Sequence, residues 1–440
     1  MQLLNESPAA EPGFSQPLNI TFEDRGDRLI GLGAINGLLR IITLGMYSFW
    51  AKTNVRKRLW SFTRLNGEPL EYTGTGKEIF LGFLLVFGVL FLPSALGGLA
   101  AFIVFGKDSF ALIVYYILAY GAFYLLIGYG TFRAQRYRLS RTRWRGIRGA
   151  LTGSPWTYTW TYFLPVAIPA GLALGAAFAT ANPISPEVLQ ISGSAAVGLA
   201  LTSSRASMTI LTIGATVIAL ILPWRANRLQ KIMTSGIHFG NARLTYTGTA
   251  QPLYKNYVIA ALLGVFLFIA CILVAVSRLS VLATLVLLIG ISIIFSWYRS
   301  NQFNHFARNT HLGDAAFEAA TTGNGLAWLA ISNWLIVTLS LAAGYALGFG
   351  ALFASGLVSD VKEVAQVLSQ TPVLGAVVVI PPVVLMVTIG TTFAQFRSTR
   401  YFMSRLKLAG TVNLASIMQS DQDGPKRGEG LAQMFDLDAF

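Results

Sequence analysis

Long apolar runs alternate with short basic blocks along this chain. Runs near 79–105, 110–132, 157–180, 206–223, 257–276, 280–297, 326–354 and 372–395 are continuous rather than alternating. Each comes near the roughly 20 apolar residues that a helix needs to cross a bilayer. A membrane β-barrel would instead alternate polar and apolar positions in strands of about 10 residues. The pattern predicts an all-α fold: a polytopic membrane helix bundle of helical hairpins joined by basic blocks.

The blocks repeat as text. Leu70-Glu71-Tyr72-Thr73-Gly74-Thr75 matches Leu244-Thr245-Tyr246-Thr247-Gly248-Thr249, with looser copies at Ala150–Gly153 and Phe317–Ala320. A glycine precedes each copy (Gly67, Gly146, Gly240, Gly313), and Gly410 closes a fifth block. The reading is a helix that leaves the membrane, stops at a glycine C-cap, and gives way to a short extended segment before the next span. Domain limits follow: a polar segment 1–28, a membrane domain 29–419 with repeats beginning near 51, 133, 224, 298 and 396, and a polar tail 420–440.

Residues 29–50 are apolar but contain Asn36 and Arg40. One crossing is the simpler reading, with the acidic start (Glu6, Glu11, Glu23, Asp24) on the far side. The alternative takes Ile20–Gly26 as a degenerate block ending, so that 29–50 dips in and returns or lies along the interface. Arg40 at mid-span would cost about 3 kcal/mol on insertion scales.

Composition agrees with the pattern. Of 440 residues, 54% are hydrophobic and 12% charged, with mean hydropathy +0.58; soluble proteins carry about 25% charged residues. The net charge of +14 invites a nucleic-acid partner, but the Lys and Arg residues sit in the blocks between spans, as the positive-inside rule requires. The opposite loops hold only Lys107, Arg205, Arg278 and Lys362. The blocks and the C-terminus are therefore expected in the cytoplasm, with the lipid bilayer as partner and no nucleic acid; the oligomeric state stays open. Met1–Pro17 lacks the basic start and apolar core of a signal peptide.

Some residues resemble a known family. Asn36 with Thr43-Leu44-Gly45-Met46-Tyr47-Ser48-Phe49-Trp50-Ala51-Lys52, and Leu408–Leu414 with Gly428–Ala432 and Phe435-Asp436, resemble signatures of the YjgN-like family of uncharacterised bacterial inner-membrane proteins. Gln433 departs from that pattern, which usually has Asp there. The resemblance implies a bacterial inner-membrane location, and no activity comes with it.

Candidate chemistry is sparse. Gly74-Thr75-Gly76-Lys77 lacks the first glycine of a phosphate loop (Glu71 stands there), and Glu78 replaces its Ser or Thr. His238, His305 and His311 have no cysteine or paired carboxylates beside them, and Cys271 is alone. Catalytic, cofactor-binding and metal-binding residues are all expected to be none, and the protein is not expected to be an enzyme. No span carries an interior Asp or Glu, which argues against proton coupling.

Candidate helix breaks are Pro93, Pro165, Pro169, Pro381 and Pro382, which could free carbonyls to line a cavity or simply kink their spans. Gly33-x3-Gly37, Gly171-x3-Gly175 and Gly344-x3-Gly348 allow close helix approach. Candidate lipid-headgroup contacts are Arg56, Lys57, Arg58, Arg136, Arg138, Arg141, Arg143 and Arg145, because basic clusters beside spans attract anionic lipids by about 1 kcal/mol per charge. Glu429, Asp436 and Asp438 of the tail could fold back onto these arginines. Two function classes result: transport of a small solute or ion, and a non-transporting module that binds anionic lipid or organises partner proteins.

Overall fold

A computed structural model describes residues 16–23, 26–106, 110–181, 201–276, 280–358, 360, 363–364, 367, 371–412 and 417–418. The tail after 420, with Glu429, Asp436 and Asp438, lies outside the described residues, as does most of the loop after Ala181.

Among the described residues, eight helices are long and apolar enough to cross a bilayer. They are α3 (Gly76–Phe105), α4 (Phe110–Arg141), α5 (Pro155–Thr180), α6 (Arg205–Ser235), α7 (Gln251–Val276), α8 (Ser280–Arg308), α9 (Gly323–Ala354) and α10 (Pro372–Met403). Two shorter helices, α1 (Asp27–Ile42) and α2 (Ser48–Phe62), precede them. The protein is an all-α polytopic membrane bundle. Apolar faces point outward: Leu262 and Phe266 on α7 and Leu282 and Phe295 on α8 are more than half exposed, as side chains that face lipid should be.

The basic blocks fold as tight β-hairpins. The strands are β1 (Gln16–Pro17), β2 (Ile20–Phe22), β3 (Thr63–Leu65), β4 (Glu68–Pro69), β5 (Glu71–Tyr72), β6 (Thr142–Trp144), β7 (Ile147–Leu151), β8 (Ile237–Phe239), β9 (Ala242–Tyr246), β10 (Thr310–Leu312), β11 (Ala315–Ala319), β12 (Leu406–Ala409) and β13 (Thr411–Val412). β5 to β12 join laterally into one antiparallel sheet in sequence order. β2, β3 and β4 form a second sheet, and β1 pairs with β13. β12 also lies against β2, which brings the two ends of the array together.

The glycines expected to cap helices are instead turn residues. Asn66-Gly67 and Arg145-Gly146 have positive φ at both positions (50° and 82°, 49° and 77°), the requirement of a type I′ hairpin. Gly240 and Gly313 have φ of 59° and 60° at the first turn position, the pattern of type II′. Two-residue loops of these types match the twist of the flanking strands, so helix, turn and strand fit into about a dozen residues. The recurrent Tyr-Thr-Gly has its own reason: a Cβ on Gly74 would stand 2.6 Å from the Tyr72 ring, and Tyr246 folds over Gly248 in the same way.

One apolar core unites the hairpins. Trp144, Ala315 and Leu408 come from three hairpins, and Leu18, Val412 and Ile417 come from the two ends of the described chain. Leu65, Ile147, Phe239, Leu312 and Phe317 pack around them. Every hairpin thus gives at least one apolar side chain to a shared centre, although each hairpin alone is too small to be stable in water.

Residues 29–50 do not cross. β2 precedes α1 and β3 follows α2, and the two strands pair antiparallel (Ile20 with Leu65, Phe22 with Thr63). The segment therefore starts and ends at the hairpin side, as a helix pair turning at Thr43–Tyr47. The physical reasons are length and polarity. α1 has 16 residues, about 24 Å at 1.5 Å per residue, and α2 carries Lys52, Arg56, Lys57 and Arg58. α1 is inside-out: Leu29, Gly33, Asn36 and Gly37 are buried, while Ile30, Ile35, Leu38 and Ile42 are exposed.

The candidate prolines do not break the helices. Pro165 and Pro169 lie inside α5, which runs on without interruption. Pro93 follows a π-helical turn at Phe87–Phe91 within α3. Its ring denies the Val89 carbonyl a normal amide partner, and the widened turn takes up the strain. Pro381 and Pro382 lie inside α10, whose Met386–Phe393 stretch is π-helical. Gly344 and Gly348 pack against Pro382 and Val378 of α10, and Gly33 and Gly37 pack against Thr388. Gly171 and Gly175 have nothing within 4 Å of a built Cβ, so they bring no described helix close.

Candidate functional site

Most of the arginines singled out in the sequence are occupied in holding the hairpins. Arg56 is 8% exposed; its Nη1 donates to the Tyr72 hydroxyl at 2.9 Å, and the guanidinium lies 5.2 Å from that ring. Arg136 donates to the carbonyls of Leu151 (2.9 Å) and Gly153, clamping β7 to α4. Arg141 pairs with Glu78 at 3.0 Å, and Glu78 also accepts from the Tyr137 hydroxyl. Arg145 pairs bidentately with Glu68 at 2.7 and 3.1 Å. The exposed Arg145 guanidinium draws the Glu68 carboxyl below its usual range, and Glu68 raises Arg145 in turn. Arg138 is partly buried, and Lys57, Arg58 and Arg143 are exposed. None of these eight lines the cavity found within the bundle.

A different pair of arginines does. A cavity of about 570 Å³ lies between α6, α7 and α8, within the size range of small-molecule sites. Leu222, Gly264, Ile291 and Ile294 form its apolar length; Arg225, Tyr257, Tyr298, Arg299 and Gln302 gather toward the hairpin side. From Ile291 to Gln302 the groove follows α8 for about 16 Å, at 1.5 Å per residue. Ile291 and Phe295 are about half exposed or more, so the groove opens to the bilayer.

Helix periodicity sets this arrangement. Ile291, Ile294, Phe295, Tyr298 and Gln302 recur every three or four residues and share one face of α8. Gly264, Ala260 and Ala261 on α7 are small and leave the space. The hairpin between α6 and α7 folds those helices back beside each other; Tyr246 donates to Asn227 Oδ1 at 2.7 Å, and Asn227 Nδ2 donates to the Gly248 carbonyl at 3.1 Å.

Among the described residues, the charge in the groove is met by uncharged groups only. The Arg225 guanidinium lies 4.1 Å from the Tyr162 ring and 6.0 Å from the Tyr124 ring. Its Nε is buried and has no hydrogen-bond partner among the described residues. Arg299 donates to Gln302 Oε1 at 2.8 Å. No Asp or Glu occurs anywhere on α6, α7 or α8. Cation–π contact is worth about 2 kcal/mol when desolvated, yet it leaves the net charge uncompensated.

Other sequence candidates take structural places. Thr75 accepts from the Glu78 amide at 3.3 Å, so Gly74–Lys77 is the N-cap of α3, not a phosphate loop. His238 Nε2 meets the Thr152 hydroxyl at 2.9 Å across β7 and β8, and burial with Arg243 nearby holds its pKa below the ordinary value. Among the described residues, no group of three His, Cys, Asp or Glu side chains could hold a metal ion.

The model of a family described as bacterial proteins of unknown function (DUF898) matches residues 17–434, from the first hairpin strands to the tail. The chain belongs to that family. Relatives include inner membrane protein YjgN of Salmonella typhimurium, 35% identical over 68 residues, which is 16% of this chain and 17% of that protein. Inner membrane protein YjgN of Escherichia coli K12 is 31% identical over 83 residues, 19% of each chain. The matched stretch thus spans less than a fifth of either relative. No solved structure matches.

Sequence reasoning placed Arg225 and Arg299 in the third and fourth blocks without distinguishing them from their neighbours. One signal was available. Both arginines lie on helices free of acidic residues, each beside a tryptophan or tyrosine (Trp224, Tyr298), the aromatic residues enriched at membrane interfaces.

Proposed function

We propose that this multi-pass protein lies in the bacterial inner membrane and holds an anionic lipid in the groove between α6, α7 and α8. Arg225 and Arg299 receive the headgroup phosphate, Tyr257, Tyr298 and Gln302 border it, and the apolar length takes the start of an acyl chain. The observation that carries this reading is two arginines at one end of an apolar groove with no carboxylate on its three helices. Burying an uncompensated charge is costly; a phosphate would neutralise it with charge-assisted hydrogen bonds. The role is binding, not catalysis.

The hairpin side faces the cytoplasm in this reading, with both ends of the described chain there. Support comes from the concentration of Lys and Arg on that side and from the pairing of β1 with β13. The five helix–hairpin units count as internal repeats: each closes with a turn glycine, and four of them feed adjacent strands into one sheet. Mass spectrometry of lipids co-purifying with the full chain tests the binding role. Wild type is expected to retain anionic phospholipid that Arg225→Ala/Arg299→Ala loses; equal retention would end the proposal.

A second reading, passage of a small solute, is favoured by the helix pair α1–α2 beside the π-helical stretch of α10. Transporters place their sites at such irregular helices.

A further inference from the structure

Gly264 of α7 has no packing reason to be a glycine. Glycine is disfavoured inside helices, because its backbone loses the most freedom on ordering. Yet a Cβ built on Gly264 meets no atom within 4 Å. Gly290, on the facing helix α8, is the opposite case: a Cβ there would stand 2.4 Å from Leu267 of α7. At Gly290 the missing side chain lets α7 and α8 close on each other. At Gly264 the space stays open, and Gly264 is the one glycine among the residues lining the groove.

The register of α7 against α8 places this opening. The rings of Tyr257 and Tyr298 meet edge-on, with centroids 5.7 Å apart. Gly264 lies seven residues onward from Tyr257, and Ile291 lies seven back from Tyr298. Both are therefore about 10 Å deeper along their helices, at 1.5 Å per residue. In the same register Ala260 and Ala261 stand level with Phe295 and Ile294. Small side chains on α7 thus face large ones on α8 and leave a lane between them. Three residues beyond Gly264, Leu267 lies over Gly290 and shuts the seam. The lane begins at Arg225 and Arg299 and is bounded at depth. Its length is most of one leaflet, which is half of a hydrocarbon core about 30 Å thick. Ile291 and Phe295 are 49% and 60% exposed, so one side of the lane lies on the bilayer.

We propose that the groove admits a single acyl chain of the anionic lipid, and that Gly264 is the residue that leaves room for it. The inference rests on the lipid reading of the groove and deepens it: the ligand is a phospholipid recognised by its phosphate and one chain together, with any second chain left in the bilayer. A side chain at position 264 would fill the lane while Arg225 and Arg299 stay in place. Headgroup and chain recognition are therefore separable.

Native mass spectrometry of the delipidated full chain tests this, with phosphatidylglycerol, lysophosphatidylglycerol and phosphatidylcholine as probes. Wild type is expected to bind the one-chain and two-chain glycerol lipids with similar affinity. Gly264→Leu is expected to weaken binding of both by about tenfold or more, without lowering the unfolding midpoint. Val265→Phe adds bulk at the next position, which is 58% exposed and off the groove, and is expected to bind as wild type does. Should Gly264→Leu fail to fold, Ala261→Leu carries the same test one turn nearer the arginines. Wild-type phosphatidylglycerol binding in the folded groove variant overturns the inference. So does an equal loss in Val265→Phe, or a failure of wild type to bind lysophosphatidylglycerol. The lipid reading itself fails on a different result, undiminished phosphatidylglycerol binding by Arg225→Ala/Arg299→Ala, which ends both.

Discussion

At the hairpin array, Arg64, Arg141 and Arg145 each meet a carboxylate, from Glu23, Glu78 and Glu68. Within the bundle, Arg225 meets tyrosine rings, Arg299 meets Gln302, and Arg397 meets Asn333 Oδ1 at 2.7 Å and Ser332 at 2.9 Å. The two regions use the same side chain for different ends. At the array, Arg64, Arg141 and Arg145 are neutralised by the protein's own carboxylates, while Arg56 and Arg136 meet a hydroxyl and carbonyls and tie strands to helices. In the bundle, among the described residues, only neutral groups meet Arg225, Arg299 and Arg397, and the proposed role of the residual charge is to attract an anion from outside. A basic count alone does not separate these cases; the nature of each partner does.

The contrast can be broken most forcefully at the shared core. Trp144 is 3% exposed and touches residues from several hairpins. Trp144→Ala is expected to cost about 3–5 kcal/mol, read as a lowered denaturant midpoint, whereas Arg225→Ala/Arg299→Ala should move that midpoint far less. A comparable loss in both would make the groove arginines structural and erase the difference.

In lipid binding the order reverses. The groove double variant is expected to weaken anionic phospholipid binding at least tenfold, the equivalent of about 1.4 kcal/mol. Lys57→Gln/Arg58→Gln/Arg143→Gln, at exposed positions, should change it little. Native mass spectrometry of both proteins decides the point.

Glu78→Gln removes the anion from Arg141 and weakens the bond from Tyr137. The pair is about one quarter exposed on each side, and a loss of about 1 kcal/mol is expected after allowing for solvent screening, read from the unfolding midpoint.

Acidification acts next. His238 has a folded pKa below its usual 6.5, so the unfolded chain takes up a proton first. Its contribution is whole above about 6.5 and is lost as pH falls through the lower folded value. Unfolding midpoints should drop in that window for wild type and less for His238→Gln. The smallest effect is expected from Arg145→Ala: the pair with Glu68 is about half exposed on each side, and the midpoint should stay within error.

Much of the bundle was legible in the sequence because membrane spans are long and obey one rule, continuous apolarity. The eight spans and the direction of the long helices out of the bilayer follow from it. The strands were only partly legible. Extended segments after Gly67 and Gly240 could be read, but the turn type could not, since it rests on positive φ at Asn66 and Arg145. The joining of separate hairpins into one sheet is a long-range event with no local signal. The course of 29–50 was open for a related reason: its polarity allowed both readings, and the pairing of β2 with β3, more than 40 residues apart, decides. The groove was hidden because Arg225 and Arg299 are 74 residues apart in sequence and come to line one cavity only once α6, α7 and α8 are folded together.

The central claim is that the groove arginines hold an anion that the protein does not supply. Titrating phosphatidylglycerol and phosphatidylcholine onto delipidated wild type and Arg225→Ala/Arg299→Ala, with bound lipids counted by native mass spectrometry, tests it most directly. The account predicts a saturable preference for phosphatidylglycerol in wild type that disappears in the variant. Equal binding of the two lipids by wild type, or an undiminished preference in the variant, would contradict it.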